Sequence, residues 1–362
     1  MRISVLKSDL LKGVQIVENV ISPHITLPIL SNILLSASSG KLKLITTDLD
    51  ISITYHLSVE IEESGSITIP AKKFADIIRE LPEEKILINV KKNNSVTIET
   101  KSCQFKLFGL PKEEFPRLPE FKDKQIFKLD QSVLKKMLDL TIFCISREEV
   151  RYILNGMLFK IDGDFLELVT TDGRRLAVIK KEILLQIQKR ISVVVPLKTT
   201  LELNRNLKEG ELFLIFGDNQ IFFDLGKIAI ISRLIEGEFP DYQQVIPPPI
   251  ENKLKIDRLS FLASLKRAAL LSITDYQAVK FEIFKDKLII SKSTPDIGES
   301  YEEIPIQYQG KELTLGFDPY YLIDVLKNLE EEIVELELID PEKPAVIRTE
   351  DYLYMLMPIK MS

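Results

Sequence analysis

The side chains that could catalyse a reaction are few in this chain. Its only histidines are His24 and His56, and neither stands in a Gly-x-Ser-x-Gly setting or a comparable hydrolase pattern. They lie far apart, with no nearby cysteine and no His-Glu-x-x-His spacing, so the sequence predicts no metal site. Phosphate-cradling glycine loops are absent as well. We therefore expect no catalytic residue and no cofactor.

One pair of carboxylates deserves comparison with its counterpart elsewhere in the chain. Asp48 and Asp50 could hold a divalent cation in an enzyme that uses phosphorylated donors. A later copy of the same stretch reads Asp172-Gly173-Arg174, so the second carboxylate is not repeated. That difference favours a solvated turn. A sugar- or nucleotide-transferring enzyme that uses these two aspartates is the least favoured hypothesis.

The elements that must position these side chains occur in three copies. The stretch 32–48 returns without gaps at 156–172, at an offset of 124 residues, and a looser copy runs from Val279 to Thr294. Prolines recur at nearly the same period, at Pro70, Pro196 and Pro319. The repeating unit therefore has the length of a domain. We predict domains at 1–120, 125–246 and 251–362.

Each copy contains the patterns of two amphipathic helices and two hairpins. Apolar residues at helical spacing predict a first helix, and a proline begins the second helix at 70–81, 196–207 and 319–329. Asp257 stands where a helix N-terminus needs an acceptor. Alternating apolar residues around turn residues predict antiparallel hairpins after each helix. The pattern indicates α+β domains whose helices cover one face of their sheets.

Composition restricts the class of protein. The chain has 45% apolar and 28% charged residues, no apolar run near the roughly 20 residues that span a bilayer, and no signal-peptide core at its start. Cys103 and Cys144 fall in different copies, so we expect no disulfide framework and a cytoplasmic location. A net charge of −6 argues against holding nucleic acid by general attraction.

Basic residues nevertheless recur at equivalent helix positions. If the three copies present these helices to one side, the protein acquires a basic concave lining that contacts phosphates without reading bases. The residues are Lys7, Lys12, Lys135, Lys136, Lys266 and Arg267 on the first helices, and Lys72, Lys73, Arg79, Lys198, Arg205 and Lys327 on the second.

Several blocks together resemble one family. They are Thr26–Leu30, Tyr152–Gly156, Thr170–Ala177, Phe239–Tyr242 and Met357–Lys360. The whole chain, in order, closely resembles the beta subunits of bacterial DNA polymerase III, which are sliding clamps. The resemblance implies three tandem clamp domains with helices on the concave side and antiparallel sheets outside. Two such crescents join into a ring around duplex DNA.

The resemblance also implies a non-catalytic subunit that confers processivity on the replicative polymerase. Its expected partners are double-stranded DNA without sequence preference, the polymerase, the clamp loader, other replication and repair proteins with clamp-binding peptides, and a second copy of the chain. By position, the cleft for partner peptides comprises Leu154, Thr171, Gly173, Arg174, Arg175, Leu176, Pro240, Val245, Ala345, Met355, Leu356, Met357, Pro358 and Ile359.

Within this cleft, apolar side chains form a trough for peptide anchors, and Arg175 is expected to supply a polar contact. DNA contacts implied by the resemblance are His24, Lys73, Glu148, Tyr152, Ile153 and Lys198. The subunit seam is expected to pair Lys101, Gln104, Lys106 and Phe108 of one subunit with Leu270, Leu271, Glu299, Glu302 and Glu303 of the other. Opposite charges and apolar burial would hold it.

The leading hypothesis is thus a ring-forming DNA tether. The alternative is a three-domain protein-interaction scaffold that does not encircle DNA.

Overall fold

The computed structural model describes residues 1–21, 27–119, 121, 125–183, 190–273 and 277–360, without the side chain of Glu149. Within these residues, six α-helices and 25 strands recur in three similar copies. The first copy has helices α1 (Lys7–Glu18) and α2 (Ala71–Glu80). Its strands are β1 (Arg2–Leu6), β2 (Asn32–Ser38), β3 (Lys41–Thr47), β4 (Ile51–Ser58), β5 (Glu60–Glu63), β6 (Gly65–Pro70), β7 (Lys85–Val90), β8 (Ser95–Glu99) and β9 (Gln104–Phe108).

The second and third copies repeat this order. The second has α3 (Gln131–Asp139), α4 (Leu197–Asn206), β10 (Ile126–Asp130), β11 (Gly156–Asp162), β12 (Phe165–Thr171), β13 (Arg175–Glu182), β14 (Ile191–Pro196), β15 (Glu211–Phe216), β16 (Gln220–Asp224) and β17 (Ile228–Arg233). The third has α5 (Arg258–Ala269), α6 (Pro319–Asn328), β18 (Lys253–Asp257), β19 (Val279–Ile283), β20 (Lys287–Thr294), β21 (Gly298–Gln307), β22 (Leu313–Phe317), β23 (Ile333–Glu337), β24 (Ala345–Arg348) and β25 (Tyr352–Leu356).

The predicted helices and turns are confirmed. The second helices begin at or just after Pro70, Pro196 and Pro319, as the proline spacing indicates. The β2–β3 turn uses positive φ angles at Ser39 and Gly40. Asp257 caps α5, because its carboxylate accepts the backbone N–H of Ser260 at 2.8 Å.

The chain forms two compact units. One comprises 1–135 and 198–234, and the other comprises 136–197 and 235–362. The first unit holds a five-stranded sheet, β5-β1-β7-β8-β9, and an eight-stranded sheet, β10-β15-β16-β17-β4-β3-β2-β6. The second unit holds a twelve-stranded sheet, β14-β11-β12-β13-β25-β24-β23-β18-β21-β20-β19-β22. All pairings in the larger sheets are antiparallel, and each sheet contains one join between copies: β17 with β4, and β25 with β13.

Buried apolar stripes hold the helices on the sheets. Leu10 and Val14 of α1 are fully buried where the helix packs over β3 and β4. Phe261 of α5 is fully buried and packs edge-on against Phe281, with ring centroids 5.9 Å apart. Each such side chain contributes about 1.5–3 kcal/mol by leaving water. None of the helices in the described part of the chain combines the length and apolar content that a membrane span needs.

The same threonine hydrogen bond occurs in all three copies. Thr46 donates to the carbonyl of Val17, Thr170 to that of Thr141 and Thr294 to that of Leu271, each at 2.6 Å. The three threonines are spaced at the 124-residue offset and are buried. Each bond ties the C-terminal end of a first helix, or the residues that follow it, to a strand of the sheet. The repeat therefore preserves a specific contact as well as a pattern of elements.

Candidate functional site

The residues predicted for the peptide cleft lie around the join between β13 and β25 in the second unit. Leu176 stands opposite Met355 across this join, and both are almost fully buried. Opposite residues of an antiparallel pair point to the same face. Leu353 and Val178 follow on that face, so the join creates a continuous apolar surface from two copies of the repeat.

This apolar surface extends further than the sequence prediction. Its members are Leu158, Val169, Leu176, Val178, Val194, Ile235, Tyr242, Val346, Leu353 and Met355, with Ile153, Phe239 and Ile246 packed against them. Only Leu176 and Met355 of the buried members were predicted for the cleft. Val178 and Leu353 could have been found from strand alternation, since they lie two residues from the predicted pair.

Apolar side chains remain exposed beside this cluster. Val245 is 57% exposed and Met357 is 40% exposed. Leu154, which was also predicted for the cleft, is only 5% exposed. Pro240 is also exposed. Exposed apolar groups next to a packed apolar cluster are typical of surfaces that bind apolar anchors of a partner.

A tight turn connects β12 to β13 and presents Gly173. The Asp172 carboxylate accepts the backbone N–H groups of Arg174 and Arg175 at 2.9 and 3.0 Å, and the Thr171 hydroxyl accepts that of Gly173 at 3.0 Å. Gly173 has a φ of +86°, and a Cβ there would lie 2.3 Å from Nη1 of Arg151. Arg151 thus lies directly against the glycine, a contact that no sequence pattern predicts.

Arg175 is engaged by its own chain. Its guanidinium donates to the Asp172 carboxylate at 3.0 Å, to the Asp324 carboxylate at 2.8 Å and to the carbonyl of Phe143. It also stacks on Tyr321, 4.3 Å from the ring centroid. Burial acts to lower its pKa, but the neighbouring acceptors, Asp324 and Asp172 among them, raise it above the ordinary value.

The structure therefore gives Arg175 a packing role. Its side chain is 11% exposed, and its Nε, Nη1 and Nη2 atoms each donate to an acceptor of its own chain. A polar contact from Arg175 to a peptide stays a prediction. Arg174 is the exposed arginine of the turn, and a hydrogen bond from its side chain to Tyr321 raises its pKa.

Two further residues predicted for the cleft lie on the helix side of the sheet. Leu356 pairs with Ala345 on one side and Arg175 on the other, one position out of step with Met355. The pleat therefore points Ala345 and Leu356 away from the apolar surface, and both are fully buried.

The chain after β25 is fixed at two points. The backbone N–H of Met357 donates to the carbonyl of Arg174 at 2.8 Å, and that of Ile359 donates to the carbonyl of Gly316 at 2.8 Å. Pro358 and Ile359 are half-buried between these anchors. The segment 357–359 thus forms one border of the apolar surface.

Asp48 occupies the same kind of turn as Asp172. Its carboxylate accepts the backbone N–H groups of Asp50 and Ile51 at 3.0 and 2.8 Å, and Leu49 has a φ of +80°. Its other oxygen lies 2.5 Å from Nζ of Lys198. Among the described residues, no group of three potential ligands could hold a metal ion. The geometry of Asp48 is that of a turn with an ion pair.

The residues predicted to contact DNA are divided between the two units. Lys73 is exposed on α2, and Lys198 bonds to Asp48 and to the carbonyl of Val20 in the same unit. In the other unit, Tyr152 is 66% exposed and Glu148 is exposed, whereas Ile153 packs against the apolar cluster. His24 lies outside the described residues.

The predicted seam residues also lie in both units. In the first, β9 is an edge strand with exposed Gln104, Lys106 and Phe108, and Lys101 precedes it. In the second, Leu270 is 81% exposed at the end of α5, followed by partly exposed Leu271.

The predicted carboxylates of the seam have partners within their own chain. Glu302 accepts hydrogen bonds from Arg267 and from Ser264, and Glu303 pairs with Lys287 at 3.0 Å. Glu299 accepts the hydroxyl of Ser293 at 3.1 Å.

Models of one family match all three copies. The N-terminal, central and C-terminal domains of the DNA polymerase III beta subunit match residues 1–119, 128–241 and 243–360. The chain belongs to this family. Its members are sliding clamps, so the protein is a clamp built from three tandem clamp domains and is not an enzyme.

Known clamps support this assignment over the full length. The beta sliding clamps of Pseudomonas aeruginosa and Escherichia coli K12 are each 33% identical to this chain, with complete coverage of both proteins. Among solved structures, the sliding clamp of Bartonella birtlesii bound to griselimycin is 36% identical, with a TM-score of 0.94 and complete coverage of both chains.

Proposed function

We propose that this clamp closes into a head-to-tail homodimeric ring around duplex DNA and tethers the replicative polymerase there. The observation that carries the proposal is a pair of unmatched strand edges. In the described residues, β9 pairs only with β8, and β21 pairs with β18 only at Ile306 and Gln307. Both strands therefore present free backbone groups of the kind that pair with another chain.

The threefold repeat identifies these two edges as mates. The last strand of each copy is β9, β17 or β25, and the strand that follows the central hairpin is β4, β13 or β21. β17 pairs with β4 and β25 pairs with β13 within the chain. The remaining pair, β9 with β21, completes the set when it forms between two chains. Because the two edges belong to different surfaces, the contact is head to tail, and such a contact gives a ring when the rotation between subunits closes.

The register of the seam follows from the joins that already exist. Ile230 pairs with Ile53 in one join and Tyr354 pairs with Ala177 in the other. Pairing within the last hairpins makes Phe105 equivalent to Ile230 and Tyr354, since their partners are Ile98, Phe223 and Ile347. Pairing beside the central hairpins makes Gly298 equivalent to Ile53 and Ala177, since their partners are Thr294, Thr46 and Thr170. The third join should therefore set Phe105 opposite Gly298, Gln104 opposite Glu299 and Cys103 opposite Ser300.

This register revises one part of the predicted seam. Phe105 and Leu107 stand opposite the fully buried Ile98 and Val96, so they face the helix side of the sheet, where Leu270 and Leu271 end α5. Phe108 stands opposite Ser95 and points to the other face. Phe105, 40% exposed in the single chain, replaces Phe108 as the apolar partner of the two leucines. Gln104, Lys106 and Glu299 remain the polar rim.

A cross-link tests the seam directly. Positions opposite each other in a pair without mutual backbone hydrogen bonds lie about 4.5 Å apart at Cα, which suits a disulfide. We expect Ser300→Cys to form a covalent dimer with the native Cys103 under mild oxidation. Tyr301→Cys is the matched control, because its side chain leaves the opposite face. Cross-linking of the control alone would contradict the register.

Retention on circular DNA tests whether the ring encircles the duplex. A ring held topologically should remain on a nicked circular DNA and leave when that circle is linearised. Equal retention on circular and linear DNA would favour the scaffold that does not encircle DNA. Within this proposal, Lys73, Lys198, Tyr152 and Glu148 contact the duplex, with His24 and Ile153 as further candidates.

The same proposal includes peptide binding at the β13–β25 join. Leu176, Met355, Val245, Pro240 and Met357 form the apolar trough, Gly173 and Arg174 its turn, and Thr171 and Leu154 its border. The apolar cluster on one face of the join supports this site. The sliding clamp of Pseudomonas aeruginosa has been solved bound to griselimycin, with 33% identity and a TM-score of 0.94 to this chain.

Domain limits and location complete the proposal. The limits are 1–120, 125–246 and 251–362, close to the ranges that the family models match. Two free cysteines, Cys103 and Cys144, support a cytoplasmic location, since neither needs an oxidising compartment.

A further inference from the structure

A cavity lies in the first unit, whereas the residues of the proposed peptide trough belong to the second. Its volume is about 430 Å³, and it opens between α1 and the C-terminal end of α4. Ligand sites of this size accommodate small organic molecules. None of the residues predicted for the peptide cleft or the seam lines it, whereas Lys12 and Arg205 also belong to the basic helix positions predicted to contact phosphates.

The lining of this cavity is rich in cations. Lys12 comes from α1, Lys208 follows α4, and Lys227 lies in the β16–β17 turn. In the part of the chain that the structure describes, no carboxylate pairs with these three ammonium groups, and all three are exposed. Glu209 is the one carboxylate among the lining residues within the described ranges. In a protein of net charge −6, such a group of unpaired cations favours an anionic ligand.

A fourth cation is held in place by a buried acid. Arg205 donates to the Glu202 carboxylate at 2.6 Å, and Glu202 is 5% exposed. Its other carboxylate oxygen is buried with no hydrogen-bond partner in the structure. The position of Lys208 is also fixed, because its backbone N–H donates to the side-chain carbonyl of Gln131 at 3.1 Å. The cationic wall is thus partly preorganised.

The remaining lining is apolar with amide groups at its edge. Ile16, Leu225 and Ile228 supply apolar surface beside the buried ring of Tyr55, while Gln15 and Asn19 add exposed amides. Flat heteroaromatic groups pack on such surfaces, and amides hydrogen-bond to their edges. In a DNA duplex the bases are stacked, so a protein surface outside the grooves contacts only the phosphates and could not bind a base in this cavity. A free nucleotide can use both halves of the cavity.

We infer that this cavity binds a nucleoside polyphosphate, with the phosphates against Lys12, Lys208 and Lys227 and the base against Ile16, Leu225 and Ile228. This site uses side chains in place of a glycine-rich loop, and it is independent of ring closure.

Calorimetric titration of the full-length protein with ATP, tripolyphosphate and adenosine tests the inference. ATP should bind more tightly than either fragment. The double variant Lys208→Ala, Lys227→Ala should weaken ATP binding by about tenfold or more, which corresponds to the loss of one or two charge-assisted hydrogen bonds. Lys92→Ala removes another exposed lysine of the same unit and should leave ATP affinity unchanged. Ile16→Ala should weaken ATP and leave tripolyphosphate unchanged.

Several results would overturn the inference. They are no ATP binding at millimolar concentration, unchanged affinity in the lysine double variant, or tripolyphosphate binding as tightly as ATP. A further contrary result is that a short linear DNA duplex competes with ATP and binds the double variant more weakly than the parent. That result would assign the cavity to DNA binding and would also overturn the inference. Circular dichroism and native mass of each variant establish that the fold and the dimer persist.

Discussion

The backbone N–H of Met357 donates to the carbonyl of Arg174 at 2.8 Å, which carries the pairing of β13 and β25 one residue beyond the last strand. Ile359 then bonds to Gly316. The chain end is therefore fixed along the border of the apolar trough, with the Met357 side chain left exposed.

Removal of residues 357–362 should abolish peptide binding while the dimer survives. The deletion takes away Met357 and the half-buried Pro358 and Ile359, but it leaves β9, β21 and α5 intact. Fluorescence anisotropy with a labelled clamp-binding peptide of the polymerase measures the first effect, and native mass spectrometry measures the second. Loss of the dimer in this variant would show that the seam has been misplaced.

Gly173→Ala should weaken peptide binding more than it destabilises the fold. A side chain at a φ of +86° costs about 1–2 kcal/mol, and the new Cβ would displace Arg151, which lies 2.3 Å from its position. Gly163→Ala is the matched control, since Gly163 also has a positive φ but open space around it. Both variants should lose similar stability in urea unfolding, and only the first should lose peptide affinity. Equal peptide affinity in the two variants would show that the position of Arg151 does not affect peptide binding.

Arg175→Ala should lower the free energy of unfolding by about 1–3 kcal/mol, because it leaves partly buried acceptors of a charge network without their donor. The groups affected are the carboxylates of Asp172 and Asp324 and the carbonyl of Phe143. Arg174→Ala, at the exposed neighbour, should cost less than about 1 kcal/mol. Denaturant titration compares the two variants. A similar small loss in both would mean that solvent or rearrangement satisfies the buried acceptors.

Acid should weaken the contact between α5 and β21. Hydrogen bonds from Arg267 lower the pKa of Glu302 below its usual 4.5. A carboxylate with a lowered folded pKa stabilises the protein above its unfolded pKa, and this stabilisation disappears as pH falls through the folded value. Thermal unfolding between pH 5 and about 2 should therefore depend less steeply on pH in Glu302→Gln than in the parent. Glu312→Gln, at an exposed position, should keep the parental slope.

Much of the fold could be predicted from the sequence because the signals were local. Proline spacing located the second helices, Asp257 located a helix cap, and alternation located the hairpins. The joins β17–β4 and β25–β13 could not be predicted this way, since they pair strands from different copies and depend on tertiary packing. They matter for the proposed function, because the proposed trough lies on one of them and the other indicates the register of the seam.

The site itself shows where residue type alone is insufficient. Arg175, Ala345 and Leu356 lie close in sequence to the residues proposed for the trough, but the pleat places them on the helix side of the sheet. In the same way, Phe108 and Phe105 are both aromatic residues of β9, and only the register distinguishes their faces. Arg151 and Tyr321 reach the β12–β13 turn from segments with no sequence signal for that contact.

The threonine bonds at Thr46, Thr170 and Thr294 have an electrostatic consequence for a protein that surrounds a polyanion. The C-terminal end of a helix carries partial negative charge on its unpaired carbonyls, and phosphates are repelled from it. In every copy, a buried hydroxyl donates to a carbonyl in the last turn of the first helix or just after it, so that this carbonyl has a partner inside the protein. We therefore expect lysines and arginines on those helices to meet less opposition from the carbonyl end of the helix when the protein binds DNA.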